Sequence, residues 1–183
     1  RSSSPERART TGCALSRLAL LAAMLVAACA AVPPAPVSLE GLPATFEMGG
    51  RLSVAQSGRG EILRIRWSHG PEADTWVLAT PVGTEVARIE RRPWGLAALR
   101  PGAGPIKAAS FSDLTQDLLG AALDERSLVA WLHGRPVGGP GGWEVSIDES
   151  QRLGDRDLAR RITASQGDVV VKLVVDEYRP GPW

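Results

Sequence analysis

The chain is poor in the side chains that do chemistry. Of its 183 residues, only two are cysteine and two are histidine. A multi-histidine metal centre is therefore excluded, and at most one disulfide can form. Charge is balanced, with 21 basic residues against 20 acidic ones. No strong field favours nucleic acid or an anionic surface. Phenylalanine and tyrosine are scarce, at two and one residues. No apolar run reaches the roughly 20 residues that a membrane-spanning helix needs. Gly-x-Ser-x-Gly, His-Glu-x-x-His and a phosphate-cradling glycine loop with lysine are all missing. Gly102-Ala103-Gly104 lacks the third glycine of a dinucleotide fingerprint. No enzyme, no cofactor and no bound metal is expected.

What is present begins with a short apolar run, Leu18 to Ala28, behind Arg7, Arg9 and Arg17 and ahead of Cys29. That is the layout of a secretory signal, and Val26-Ala27-Ala28-Cys29 is similar to a bacterial lipobox. Such a signal is cut before the cysteine, whose thiol carries the lipid. The competing reading is an ordinary signal with a chance cysteine. Cys13 follows polar residues and is the poorer candidate. Residues 1–28 read as the signal, and 29–44 as an acylated cysteine with a proline-rich tether. Residues 45–183 read as one domain, long enough to bury a core.

From Phe46 the dominant period is two. Strands are expected at 46–54, 61–67, 74–79, 84–90, 94–99, 143–147, 159–164 and 169–176, with Gly49-Gly50 allowing a bulge. Two helices interrupt them. Ser110 or Ser112 is placed to cap one over 113–119. Asp124 or Arg126-Ser127 opens another through Leu128 to His133, stopped by Gly134 and Pro136. Short strands with glycine and proline turns indicate an antiparallel meander.

Asp113 and Asp117, four apart on a short helix, read as a solvated face. His69 beside Gly70-Pro71 reads as a turn residue, and His133 as a helix end. The unusual supply is tryptophan, six residues in all, with Trp67, Trp76, Trp94, Trp131 and Trp143 in expected elements. One reading is an aromatic core. The other is a curled sheet that leaves an apolar cavity suited to acyl chains. Candidates for the cavity lining are Trp67, Trp76, Ile89, Leu96, Trp131, Trp143, Leu173 and Val175. A register error of one residue would exchange the faces.

Several pieces fall in a familiar order: Gly50-Arg51-Leu52-Ser53-Val54, Trp67, Leu78-x-x-Pro81-Val82-Gly83-Thr84, Leu128-Val129-Ala130-Trp131-Leu132-His133-Gly134-Arg135-Pro136 and Trp143-x-Val145. Together they resemble the LolB family of outer-membrane lipoproteins from about Phe46 to Tyr178. The resemblance implies a mainly β fold with helices (α+β), a half-open antiparallel β-barrel whose hydrophobic cavity is lidded by short helices. It implies anchoring to the outer membrane through the lipid on Cys29, on the periplasmic face. It implies lipoproteins as cargo, received from a LolA-like periplasmic carrier and delivered to that membrane. A monomer is expected, with no nucleic-acid partner. Pro81, Val82 and Gly83 match the family's membrane-insertion loop, where the apolar residue is usually leucine. A valine folded back onto the core is the plainer reading of Val82. The chain departs from the family at Leu158-Ala159, in place of Leu-Pro, and at Tyr178, in place of a tryptophan. The rival reading is a lipid-anchored structural or adaptor protein with a filled core and a protein-binding surface.

Overall fold

A computed structural model of the chain describes residues 36–139 and 141–181. Cys29 and the signal of residues 1–28 lie outside the described residues. Nine strands form one antiparallel sheet: β1 (Phe46–Gln56), β2 (Arg59–His69), β3 (Asp74–Ala79), β4 (Glu85–Arg92), β5 (Gly95–Leu99), β6 (Ile106–Lys107), β7 (Glu144–Leu153), β8 (Arg156–Gln166) and β9 (Val169–Pro180). Their order across the sheet is β6-β5-β4-β3-β2-β1-β9-β8-β7. The two edges do not pair, so the barrel stays open. The connection between the edge strands carries α1 (Phe111–Leu119) and α2 (Glu125–Leu132). Phe111, Leu114, Leu128, Trp131 and Leu132 of these helices join the apolar cluster of the sheet's inner face. No helix among the described residues is long and apolar enough to cross a membrane.

The period of two does its expected work. In β2 and β3, Ile65, Trp67, Trp76 and Leu78 all point inward and are buried. Trp67 and Trp76 are direct cross-strand partners, with ring centroids 4.5 Å apart. The register against β9 shifts between Gly49 and Gly50. A Cβ on Gly50 would lie 2.1 Å from the Val174 carbonyl oxygen, so no other residue fits without moving β9. Alternation in β4 is less regular for a structural reason. Leu78 pairs with Ala87 and Ala79 with Glu85, which leaves Val86 without a partner.

The helix ends follow their caps. The Ser110 hydroxyl accepts from the Asp113 amide, and Gly120 closes α1 in the left-handed conformation. The Asp124 carboxylate accepts from the Ser127 amide. Of the two cap positions expected for each helix, the earlier one is used in both, so α1 begins at Phe111, two residues before 113, and α2 at Glu125. Asp113 and Asp117 are exposed. Two expectations are corrected. Trp94 is in the β4–β5 turn, outside the strand, and is 85% exposed. His69 ends β2 and is mostly buried rather than lying in a loop. The two-residue strand β6, directly behind the glycine and proline turn of residues 101–105, is not among the expected strands.

Candidate functional site

At one end of the sheet, β1 and β2 run past their neighbour. Arg64 pairs with Ala79, the last residue of β3, so residues 59–63 of β2 overhang it. Beside this overhang lies a groove of about 500 Å³. Leu52, Val54 and Leu63 of the sheet and Leu118 and Leu119 of α1 line its apolar part. Gln56, Arg59 and Glu61 form its polar rim. The apolar residues come from the inner face of two strands and from the last turn of α1, which is the mouth of the half-open barrel.

The β3–β4 loop stands at this same end. The Thr80 amide donates to the Thr84 carbonyl at 2.8 Å, and the Gly83 amide donates to the Thr80 carbonyl at 2.9 Å. Gly83 adopts φ 97°, a conformation that disfavours side chains. This tight turn holds Val82 outward, 89% exposed, with Pro81 and Gly83 also exposed. The folded-back valine is thus not what the structure has. Ile62, on the overhang, is 59% exposed. Val86 and Leu99 add smaller exposed apolar surfaces near the same loop.

The eight candidate lining residues are brought together. Trp67, Trp76, Ile89, Trp131, Trp143, Leu173 and Val175 belong to one buried cluster, and Leu96 packs against it, partly buried. These side chains are closed upon one another, and none of them lines the open groove. Three indole N–H groups are satisfied. Trp67 donates to Asp74 Oδ1 at 2.8 Å, Trp131 to the Val137 carbonyl at 2.7 Å and Trp143 to the Ala122 carbonyl at 3.3 Å. The buried Nε1 of Trp76 has no partner. The Trp131 bond explains the Trp-x-x-Gly-x-Pro helix end. Gly134 at φ 73° turns the chain so that Val137 returns over the indole.

The opposite end of the sheet is polar. Asp74 is buried and receives Trp67, His69 and Arg91. Arg91 also reaches Glu125 of α2 at 3.3 Å. Burial pushes the His69 pKa down, Glu125 pulls it up and Arg91 pushes it down, with a net lowering. The ring is then neutral, with Nδ1–H donating to Asp74. His69, Asp74 and Glu125 offer donor atoms within 4.8 Å of one another, a spacing that suits a metal ion. The guanidinium of Arg91 already supplies the positive charge between the two carboxylates. His133 is buried as well. Its Nδ1–H donates to the Val129 carbonyl at 2.7 Å, and its Nε2 faces the Tyr178 hydroxyl at 2.8 Å. Burial holds the Tyr178 pKa up at about 12, so that hydroxyl stays protonated and donates to the ring.

The chain enters the domain at this polar end, clamped by arginines. Arg126 donates to the Val37 carbonyl, Arg135 to those of Ser38 and Glu40, and Arg156 to that of Gly41. Sequence reasoning missed this clamp, because guanidinium-to-carbonyl contacts leave no residue pattern on the accepting side. It also missed the groove-lining leucines of α1. Leu118 and Leu119 were visible as a helix end, but which face they present depends on tertiary packing. A second groove, of about 560 Å³, lies on the outer face among Glu47, Arg66, Glu85 and Arg88. Its paired charges, such as Glu85 with Arg88 at 2.8 Å, do not suit an acyl chain.

Comparison with known proteins adds to this geometry. The family profile "Outer membrane lipoprotein LolB" matches residues 44–140. The outer-membrane lipoprotein LolB of Thiobacillus denitrificans is 31% identical over 189 residues, covering 92% of this chain and 100% of that protein. The outer-membrane lipoprotein LolB of Chromobacterium violaceum is 28% identical over 177 residues, covering 88% of this chain and 97% of that protein. Among solved structures, a DUF1329 family protein from Desulfovibrio piger superposes with a TM-score of 0.52 at 8% identity, over 76% of this chain and 87% of that one. That likeness concerns the fold alone.

Proposed function

The chain belongs to the outer-membrane lipoprotein LolB family, and from that premise we propose that it accepts lipoproteins from a LolA-like periplasmic carrier and passes them into the outer membrane. In this reading Cys29 carries the lipid anchor after residues 1–28 are removed. Residues 29–44 tether the domain to the periplasmic face, and residues 45–183 bind the cargo's acyl chains. The protein acts as a monomer and catalyses no covalent step.

The observation that carries this reading is the groove at the barrel mouth, apolar on its floor and polar at its rim, beside a loop that exposes Val82. Acyl chains must pass from a carrier to a bilayer without crossing water. Each methylene exposed on the way costs about 0.8 kcal/mol. A groove that opens next to a membrane-seeking tip shortens the wet path. The buried cluster behind the groove is filled, so chains that go deeper must displace side chains or α1. Transfer of a long chain at that value per methylene offsets such repacking. Trp67, Trp76, Ile89, Leu96, Trp131, Trp143, Leu173 and Val175 then become the wall of the opened cavity.

The same filled cluster favours a second reading, an anchored adaptor that binds proteins through its surface. A two-step assay separates the two: carrier to this protein, then this protein to liposomes. Leu119→Glu places a carboxylate in the groove at a partly buried helix end. Acceptance of cargo should fall at least tenfold while thermal melting stays cooperative. Undiminished acceptance by the folded variant would leave the adaptor reading in possession.

A further inference from the structure

We propose that Trp94 is the resting contact between the domain and the membrane that carries its anchor, and that it holds the Val82 loop away from that membrane. This rests on the lipidation of Cys29 proposed above.

Trp94 lies at the tip of a two-residue hairpin turn, closed by the pairing of Arg92 with Gly95. At 85% exposed, it is the largest apolar side chain left in water among the described residues. An indole with one apolar body and one N–H donor is suited to the boundary between headgroups and acyl chains.

Position supplies the occupant. Arg126 holds the Val37 carbonyl at 2.8 Å. The neighbouring residue, Glu125, touches Arg91 at 3.3 Å, and Arg91 is three residues before Trp94. The chain therefore joins the domain at the end where Trp94 projects. Seven residues separate Cys29 from Val37. Even fully extended they span at most about 28 Å. The anchor and Trp94 can share one membrane without strain.

Val82 is at the other end of β4. The eight residues of that strand set the two tips about 26 Å apart. With Trp94 seated, the Val82 loop and the groove mouth face away from the bilayer, where a carrier can reach them. Delivery through Val82 then requires the domain to turn over on its tether.

The test uses the full lipidated chain in vesicles of phosphatidylethanolamine and phosphatidylglycerol with brominated acyl chains, in a Trp183→Phe background. Trp67, Trp76, Trp131 and Trp143 are buried and report little of the bilayer. The emission attributable to Trp94 should be quenched about twofold or more, and Trp94→Ser should abolish that component. A Val82→Cys variant carrying a polarity-sensitive thiol dye, with Trp94 kept, should report water without cargo, and adding Trp94→Ser should let the dye report membrane contact. A chain that floats with the vesicles but shows no Trp94 quenching overturns the inference alone. So does a position-82 dye that reports membrane contact without cargo while Trp94 is intact, or a Trp94→Ser variant that keeps its membrane depth yet fails to accept cargo. A chain that does not float at all overturns the anchor and the inference together.

Discussion

The two ends of the sheet solve opposite problems with the same strands. At the end where the chain enters, polar groups are driven inward and paired. Asp74 lies beneath Trp67, His69 and Arg91, and three arginines grip the backbone at residues 37–41. At the other end, apolar groups are left outward or half covered: Val82, Ile62 and the groove residues Val54, Leu63, Leu118 and Leu119, whereas the entry end exposes the large apolar side chain of Trp94. Buried, hydrogen-bonded networks tie a structure to one arrangement. Apolar groups with few partners leave room to rearrange and to bind. The contrast teaches a division of labour, with a fixed end that holds the domain on its tether and an adaptable end that meets cargo and membrane.

The largest effect should come from breaking the fixed end. Asp74→Ala removes the acceptor of the Trp67 indole and His69 and leaves Arg91 with Glu125 and the Gly70 and Pro71 carbonyls. Truncating one member of such a buried network costs about 3–5 kcal/mol. Denaturant titration should show that loss. A cost below about 1 kcal/mol would mean that water replaces the carboxylate and that this end is as loose as the other.

A smaller effect should follow from pH. Burial lowers the pKa of His133, opposed by its bond to the Val129 carbonyl and reinforced by His69, Arg156 and Arg135. His69 is lowered too, again chiefly by burial. A base whose folded pKa is depressed binds fewer protons folded than unfolded. Its stabilising share is complete above the ordinary value near 6.5 and is lost as pH falls from there through the folded value. The melting temperature should therefore drop in mildly acidic buffer, and His133→Gln should flatten part of that slope. An unchanged slope in His133→Gln would assign the proton uptake to His69.

Much of this division was legible in the sequence, and the rest was hidden for physical reasons. Alternation placed Ile65, Trp67, Trp76 and Leu78 on the inner face, because a half-buried strand enforces a period of two. Gly49-Gly50 announced the bulge, and Ser110 and Asp124 announced the helix starts. Trp94 was misplaced because Pro93 and Gly95 around an aromatic residue fit a strand start as well as a turn. The Asp74 network could not be read, since its members, on β2, β3, β4 and α2, meet only through the sheet register and the helix crossing. Residue type alone also could not distinguish a filled cluster from an open groove. That distinction rests on where α1 ends, a matter of packing.

The smallest effect on stability should come from the adaptable end, at its most exposed residue. Val82 touches water over most of its surface, so Val82→Glu should change stability by less than about 0.5 kcal/mol. Its consequence belongs to function. Moving a valine from water into hydrocarbon is worth at most about 1.5–3 kcal/mol, enough to orient a tethered domain briefly and too little to hold it there. A carboxylate at the same tip forfeits that gain and resists insertion. Cargo acceptance from the carrier should be unaffected, while release into liposomes should slow by about tenfold or more, since each 1.4 kcal/mol is a factor of ten. Equal release by the two proteins would sink the idea that this tip enters the membrane. Loss of acceptance with normal release would move Val82 to the carrier-docking surface and make the adaptable end a protein interface.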